Sequence, residues 1–100
     1  MNTKPYEIAD FFRQLELLTR AGLPLPDSLY RLAAEYRHGG IRNICADLAN
    51  ATAQGKTLSS AMKEHAEAFS PFFIRLVEVG ERDGALPEVM GEIATVGCRH

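Results

Sequence analysis

Apolar residues in this chain recur every three or four positions. Ile8, Phe11, Phe12, Leu15 and Leu18 form a first stripe, and Leu29, Leu32, Ala33 and Tyr36 a second. A third runs through Ile41, Ile44, Cys45, Leu48, Ala49 and Thr52, and Leu58, Ala61 and Met62 make a short fourth. Phe69, Phe72, Phe73, Leu76 and Val77 form a fifth, and Leu86, Val89, Met90, Ile93 and Ala94 a sixth. Such spacing gathers side chains on one face of an α-helix, whereas a strand needs alternation. No comparable run alternates. The pattern predicts an all-α fold: a compact antiparallel bundle of about six short helices.

The residues between the stripes agree. Gly22 suits the left-handed position that ends a helix, with Leu23 folding back on Leu18, and Pro24 and Pro26 forbid continuation. Gly39-Gly40 separates the second stripe from the third, and Gly55 ends the third. Thr57 is placed to cap the fourth helix, with Ser60 as its partner three residues on. Ser70-Pro71 combines an N-cap with proline at the first helical position. Gly80 and Gly84 bracket a tight link, Gly80 being expected at positive φ as the residue after the helix end, and Pro87 suits the first turn of the last helix. Short links fold neighbouring helices back as hairpins. One domain over residues 1–100 follows, with no internal repeat.

Composition narrows the function. Nearly half of the 100 residues are apolar and 24% are charged, as in globular proteins. The net charge is −2 and basic residues alternate with acidic ones, so no patch neutralises a run of phosphates or an anionic membrane surface. Nucleic acid is not an expected partner. The period of Leu32–Ala51 would suit a helix-turn-helix, yet its second helix offers only Arg42, against Asp47. No stretch approaches the length of a membrane helix and no signal peptide is visible, so the chain reads as soluble. Cys45 and Cys98 lack metal-site spacing. Both are read as reduced thiols, Cys45 as a small core residue.

Catalytic constellations are missing. His38, His65 and His100 share no metal-binding spacing, and read as solvated or helix-end residues. Ser28, Ser59, Ser60 and Ser70 sit near helix starts, where a hydroxyl can accept free N–H groups. No catalytic residue, cofactor site or metal site is expected; the weak metal candidates are Glu81 and Asp83 in the acidic segment Gly80–Gly84, since hard cations prefer clustered carboxylates. Among Phe69, Phe72 and Phe73 at least two are expected inside, and an exposed one would mark an interface. Glu81 is expected to cap the last helix. Docking is expected to use the exposed charges Glu78, Asp83, Glu88 and Glu92. High apolar content on a small surface suggests a weak homodimer.

Three stretches carry a resemblance: FFRQLELLTRAGLPLP from Phe11 to Pro26, GKTLSSAM from Gly55 to Met62 followed by Phe69-Ser70-Pro71-Phe72-Phe73, and LVEVGERDGAL from Leu76 to Leu86. In order and spacing they resemble the type II secretion system F family of inner-membrane platform proteins, which serve type II secretion and type IV pilus assembly. The matching positions are Gly22, Leu23, Pro24, Gly55, Leu58, Ala61, Phe69, Gly80, Glu81, Gly84 and Leu86. Thr57, Ser60, Asp83 and Pro87 depart mildly from the usual pattern. The resemblance implies a cytoplasmic helical domain, a fragment of a larger polytopic membrane protein, without enzymatic activity. It implies a scaffold that links the assembly ATPase to the pilus or pseudopilus machinery, reaching the membrane only through segments outside this chain. A free-standing helical adaptor and, less favoured, a metal-dependent or thiol enzyme are the alternatives.

Overall fold

Helix-capping chemistry divides the chain into its elements. A computed structural model describes residues 3–37 and 39–97, which form α1 (Pro5–Arg20), α2 (Leu25–Glu35), α3 (Gly39–Ala53), α4 (Leu58–Met62), a 3-10 turn (Lys63–His65), α5 (Pro71–Asp83) and α6 (Leu86–Gly97). No strand occurs among the described residues. Cys98 and His100, and His38 in the α2–α3 link, lie outside them.

Gly22 adopts φ +100°, so its N–H donates to the Thr19 carbonyl at 3.0 Å and the Leu23 N–H to the Leu18 carbonyl at 3.1 Å. That is the Schellman ending the sequence predicts, and it closes α1. Pro24 and Pro26 then begin α2. Gly55 ends α3 with the same pair of bonds. The Thr57 hydroxyl accepts the Ser60 N–H, and the Ser70 hydroxyl accepts the Phe73 N–H, as expected for N-caps. Gly39-Gly40 differs from expectation: the pair forms the first turn of α3 rather than a link.

Gly80 differs more. It lies inside α5, buried, and the helix runs on through Glu81 and Arg82 to Asp83. Only Gly84 takes the left-handed conformation, at φ +67°, with the Ala85 N–H donating to the Gly80 carbonyl at 2.8 Å. Gly80 is a contact rather than a bend. A Cβ there would sit 2.9 Å from Cγ2 and 3.2 Å from Cβ of Val89, so the missing side chain lets α6 pack against α5.

The first and last helices pack together, α2 packs on α3, and α4 and α5 bridge the two pairs. The Cα radius of gyration is 12.0 Å, close to the roughly 13 Å expected for a domain of about 100 residues. At the centre, the Phe11 and Phe12 rings meet edge to face at 5.0 Å, and Phe69 joins Phe12 at 5.9 Å. Leu15, Leu29, Leu32, Leu48, Leu58, Met62, Met90 and Ile93 complete a single core. The buried hydroxyls are all engaged: Ser28 donates to the Pro24 carbonyl, Thr52 to the Leu48 carbonyl and Ser59 to Glu81. Ser28 and Ser59 are therefore donors, not the N–H acceptors expected.

The Gly80–Val89 contact is testable by sign. Alanine in a helix interior gains about 1 kcal/mol over glycine by propensity. Overpacking costs about 1–3 kcal/mol, so Gly80→Ala is expected to lower stability in urea unfolding. Gly80→Ala/Val89→Ala should lose less than the sum of its single losses. A stabilised Gly80→Ala protein, or strict additivity, would show that the helices do not meet there.

Candidate docking surface

The segment Gly80–Gly84 holds the weak metal candidates Glu81 and Asp83, and its geometry reassigns both. Glu81 projects from α5 toward the start of α4. One carboxylate oxygen accepts the Ser59 backbone N–H at 2.9 Å, and the other accepts the Ser59 hydroxyl at 2.6 Å. Glu81 is thus a cap, but of α4 and not of the last helix. Together with the Thr57 hydroxyl it satisfies N–H groups that a five-residue helix cannot satisfy itself. Both oxygens are occupied. Asp83 points elsewhere, 3.3 Å from the Arg82 guanidinium. The two weak metal candidates do not converge, and no group of three His, Cys, Asp or Glu side chains among the described residues is arranged to hold a metal ion.

The four acidic docking candidates fall into separate neighbourhoods. Glu88 and Glu92 stand one turn apart on α6 and line one shallow groove with Arg13 and Arg20 of α1. Beneath it, Glu16 binds Arg13 at 2.7 Å and Arg20 at 3.0 Å, and Arg13 also reaches the Thr95 hydroxyl at 3.2 Å. Arg20 comes only to 4.0 Å from the well-exposed Glu88. The groove therefore presents an acidic ridge beside a basic one. Glu78 lies apart, paired with Lys63 at 3.0 Å, and Asp83 ends α5.

Other candidates resolve differently. His65 ends the 3-10 turn, where its carbonyl accepts the N–H groups of Ala68 and Phe69. Its two ring nitrogens face different acids, Asp47 at 3.3 Å and Glu67 at 3.7 Å, so one metal ion could not draw on both carboxylates. Cys45 is fully buried and burial pushes its thiol up to about 12. It is a packing residue with no thiolate at neutral pH. Of the three phenylalanines, Phe69 is fully buried, Phe73 is partly buried and Phe72 is exposed. Phe72 borders an apolar groove that the periodicity alone did not locate.

Residues 11–96, nearly the whole helical bundle, match the profile of the family described as type II secretion system (T2SS), protein F. The chain belongs to that family. Among curated members, it is 34% identical over 92 residues to the type IV pilus assembly protein TapC of Aeromonas hydrophila, covering 92% of this chain and 22% of that protein. The type IV pilus assembly protein PilC of Pseudomonas aeruginosa is 27% identical over 92 residues, covering 92% and 25% respectively. The type II secretion system protein F of Vibrio cholerae is 28% identical over 88 residues, covering 88% and 22%. The chain spans about a quarter of the length of these relatives. No helix among its described residues is long and apolar enough to cross a membrane.

The positions that carry the sequence resemblance lie at joints of the fold. Gly22, Leu23 and Pro24 turn α1 into α2. Gly55, Leu58 and Ala61 end α3 and seat α4 in the core. Phe69 anchors the chain before α5, and Gly80, Glu81, Gly84 and Leu86 hold α5 against its neighbours and pass it to α6. The GERDGAL segment of this family member is thus explained by packing and capping.

Two measurements check these assignments. Glu81→Ala leaves both Ser59 donors without their partner and should cost about 1–3 kcal/mol, whereas Glu81→Gln keeps an acceptor oxygen and should cost less than about 1 kcal/mol. Equal losses in denaturant titrations would contradict the cap. For Cys45, the unfolded thiol titrates near 9.0 and the folded one near 12. Below the lower value both states hold the proton. Above it only the unfolded state releases it, so stability should fall from about pH 9 to 12. Cys45→Ala should flatten the part of that decline due to the thiol; an unchanged profile would contradict the assignment.

Proposed function

We propose that this chain is the cytoplasmic docking domain of an inner-membrane platform protein that serves type II secretion or type IV pilus assembly. In this reading it has no enzymatic activity. It binds the assembly ATPase and other inner-membrane assembly proteins, and joins the energy source to the pilus or pseudopilus. The carrying observation is that the family match covers the bundle from α1 to α6. The named functions of TapC, PilC and protein F support the reading, since each is a pilus-assembly or secretion protein.

Physical features favour docking over chemistry. The motif residues hold the framework, so the exposed groups are available for recognition. Glu88 and Glu92 carry charge on a rigid helix beside Arg13 and Arg20. Such patterned charge steers association and selects a partner more than it adds affinity. Glu78 and Asp83 are secondary contacts, because each is held at 3.0 Å or 3.3 Å by a basic side chain, whereas Glu88 comes only to 4.0 Å from Arg20.

The double variant Glu88→Lys/Glu92→Lys tests the reading. It should alter stability by no more than about 0.5 kcal/mol, because both side chains are exposed. It should reduce capture of the assembly ATPase and the output of pili or secreted protein, with a weaker salt dependence of the residual binding. Full capture and full output from this folded variant would reject these acids as the docking charges. A chain that works in assembly without any membrane-anchored portion of its protein would favour a free-standing adaptor.

A further inference from the structure

Helices α1 and α6 lie antiparallel: Ala9 stands by Gly97, Arg13 by Thr95, Glu16 by Gly91 and Arg20 by Glu88. Along their exposed edges runs a groove of about 530 Å³, in which Val96 is the only apolar side chain among the described residues. Gly91 is the reason that charge can gather there. A Cβ at that position would stand 2.7 Å from Oε2 of Glu16, so the bare helix lets the Glu16 carboxylate lie against α6. Glu16, its side chain only 12% exposed, holds the Arg13 guanidinium at 2.7 Å and that of Arg20 at 3.0 Å. Arg13 is fixed a second time by donating to the Thr95 hydroxyl at 3.2 Å. Glu88 stays 4.0 Å from Arg20 with its side chain 60% exposed, and Glu92 follows it one turn on.

These charges limit what the groove can hold. An apolar segment would strip water from them and return nothing. A phosphate, or a wholly acidic segment, meets three carboxylates against two guanidiniums. A wholly basic segment suits Glu88 and Glu92 but runs against two fixed arginines. A segment with the two signs in separate rows satisfies every group. We infer that the groove takes one helix of a partner protein, with basic residues on the flank that meets Glu88 and Glu92 and acidic residues on the flank that meets Arg13 and Arg20. The spacing suits a helix. Glu88 and Glu92 are about 6 Å apart along α6, and Arg13 and Arg20 about 10 Å apart along α1, close to one turn and two turns. A facing helix returns its own side chains to one line at those intervals. Glu16 is the positioning residue, because it fixes both arginines, and Gly91 admits it. This recognition rests on the docking reading above and gives its partner a chemistry.

Capture of the assembly ATPase by folded variants tests this by sign. Arg13→Gln/Arg20→Gln and Glu88→Gln/Glu92→Gln should each weaken capture about threefold or more at low salt. A wholly basic partner surface would instead bind the first variant more tightly, and a wholly acidic one the second; either result overturns the inference. Gly91→Ala keeps every charge but displaces the Glu16 carboxylate. It should be at least as stable as the wild-type chain, alanine being the better helix former, and still capture several-fold less. Undiminished capture by Gly91→Ala would also overturn the inference. A second probe does without the ATPase: a synthetic peptide of about 20 residues, long enough to hold a helix, with one lysine flank and one glutamate flank. In an NMR titration it should shift amides of α1 and α6 more strongly than peptides whose flanks are all lysine or all glutamate. No preference for the mixed peptide would contradict the groove's assignment. A chain that prefers it yet captures no ATPase would keep the groove and reject the docking reading. Capture without that preference would do the reverse.

Discussion

Helix α4 is five residues long, little more than one turn, and an isolated helix of that length does not hold in water. Its persistence depends on bonds from outside itself. Thr57 supplies one acceptor locally, and Glu81 supplies the other from 22 residues away by taking both the N–H and the hydroxyl of Ser59. That carboxylate ties α4 to α5, and α4 in turn presents Leu58, Ala61 and Met62 to the core. On the adjacent residue, Gly80 leaves room for Val89 and so sets α6 against α5. Two neighbouring positions in one turn of α5 thereby hold the elements on either side of it.

This arrangement separates what is local in the chain from what is not. The stripes, the Schellman turn at Gly22 and the caps at Thr57 and Ser70 were legible because each is decided by a few consecutive residues. Gly80 is ambiguous in sequence because glycine serves both a left-handed turn and a close helix approach, and the two glycines of GERDGAL look equivalent in one dimension. The better signal was the continuation of a buried three-residue spacing from Ile74 through Val77 to Gly80, which marks the position as helical and inward-facing. Gly39-Gly40 misled for a related reason: the packing of Ile41, Ile44 and Cys45 tolerates two poor helix formers in the first turn of α3.

The surface was less legible. Glu81, Glu78, Asp83, Glu88 and Glu92 are similar in sequence, yet one is consumed by a cap, two sit beside basic groups, and two line a charged groove. Only the tertiary fold sorts them. Phe72 illustrates the same limit, since it occupies a helical stripe with Phe69 and Phe73 but starts α5 on the side that α1 and α6 leave open. The positions that carry the sequence resemblance lie at joints of the fold, where packing and capping account for them.

Native-state hydrogen exchange at the Ser59 amide reads the α4–α5 tie directly. If the Glu81 carboxylate holds that N–H, Ser59 should be protected in the wild-type chain. In Glu81→Ala its exchange should accelerate by about tenfold or more, beyond any change shared by core amides of α1 and α6. A Ser59 amide that exchanges as freely in the wild-type chain as in Glu81→Ala would contradict the account.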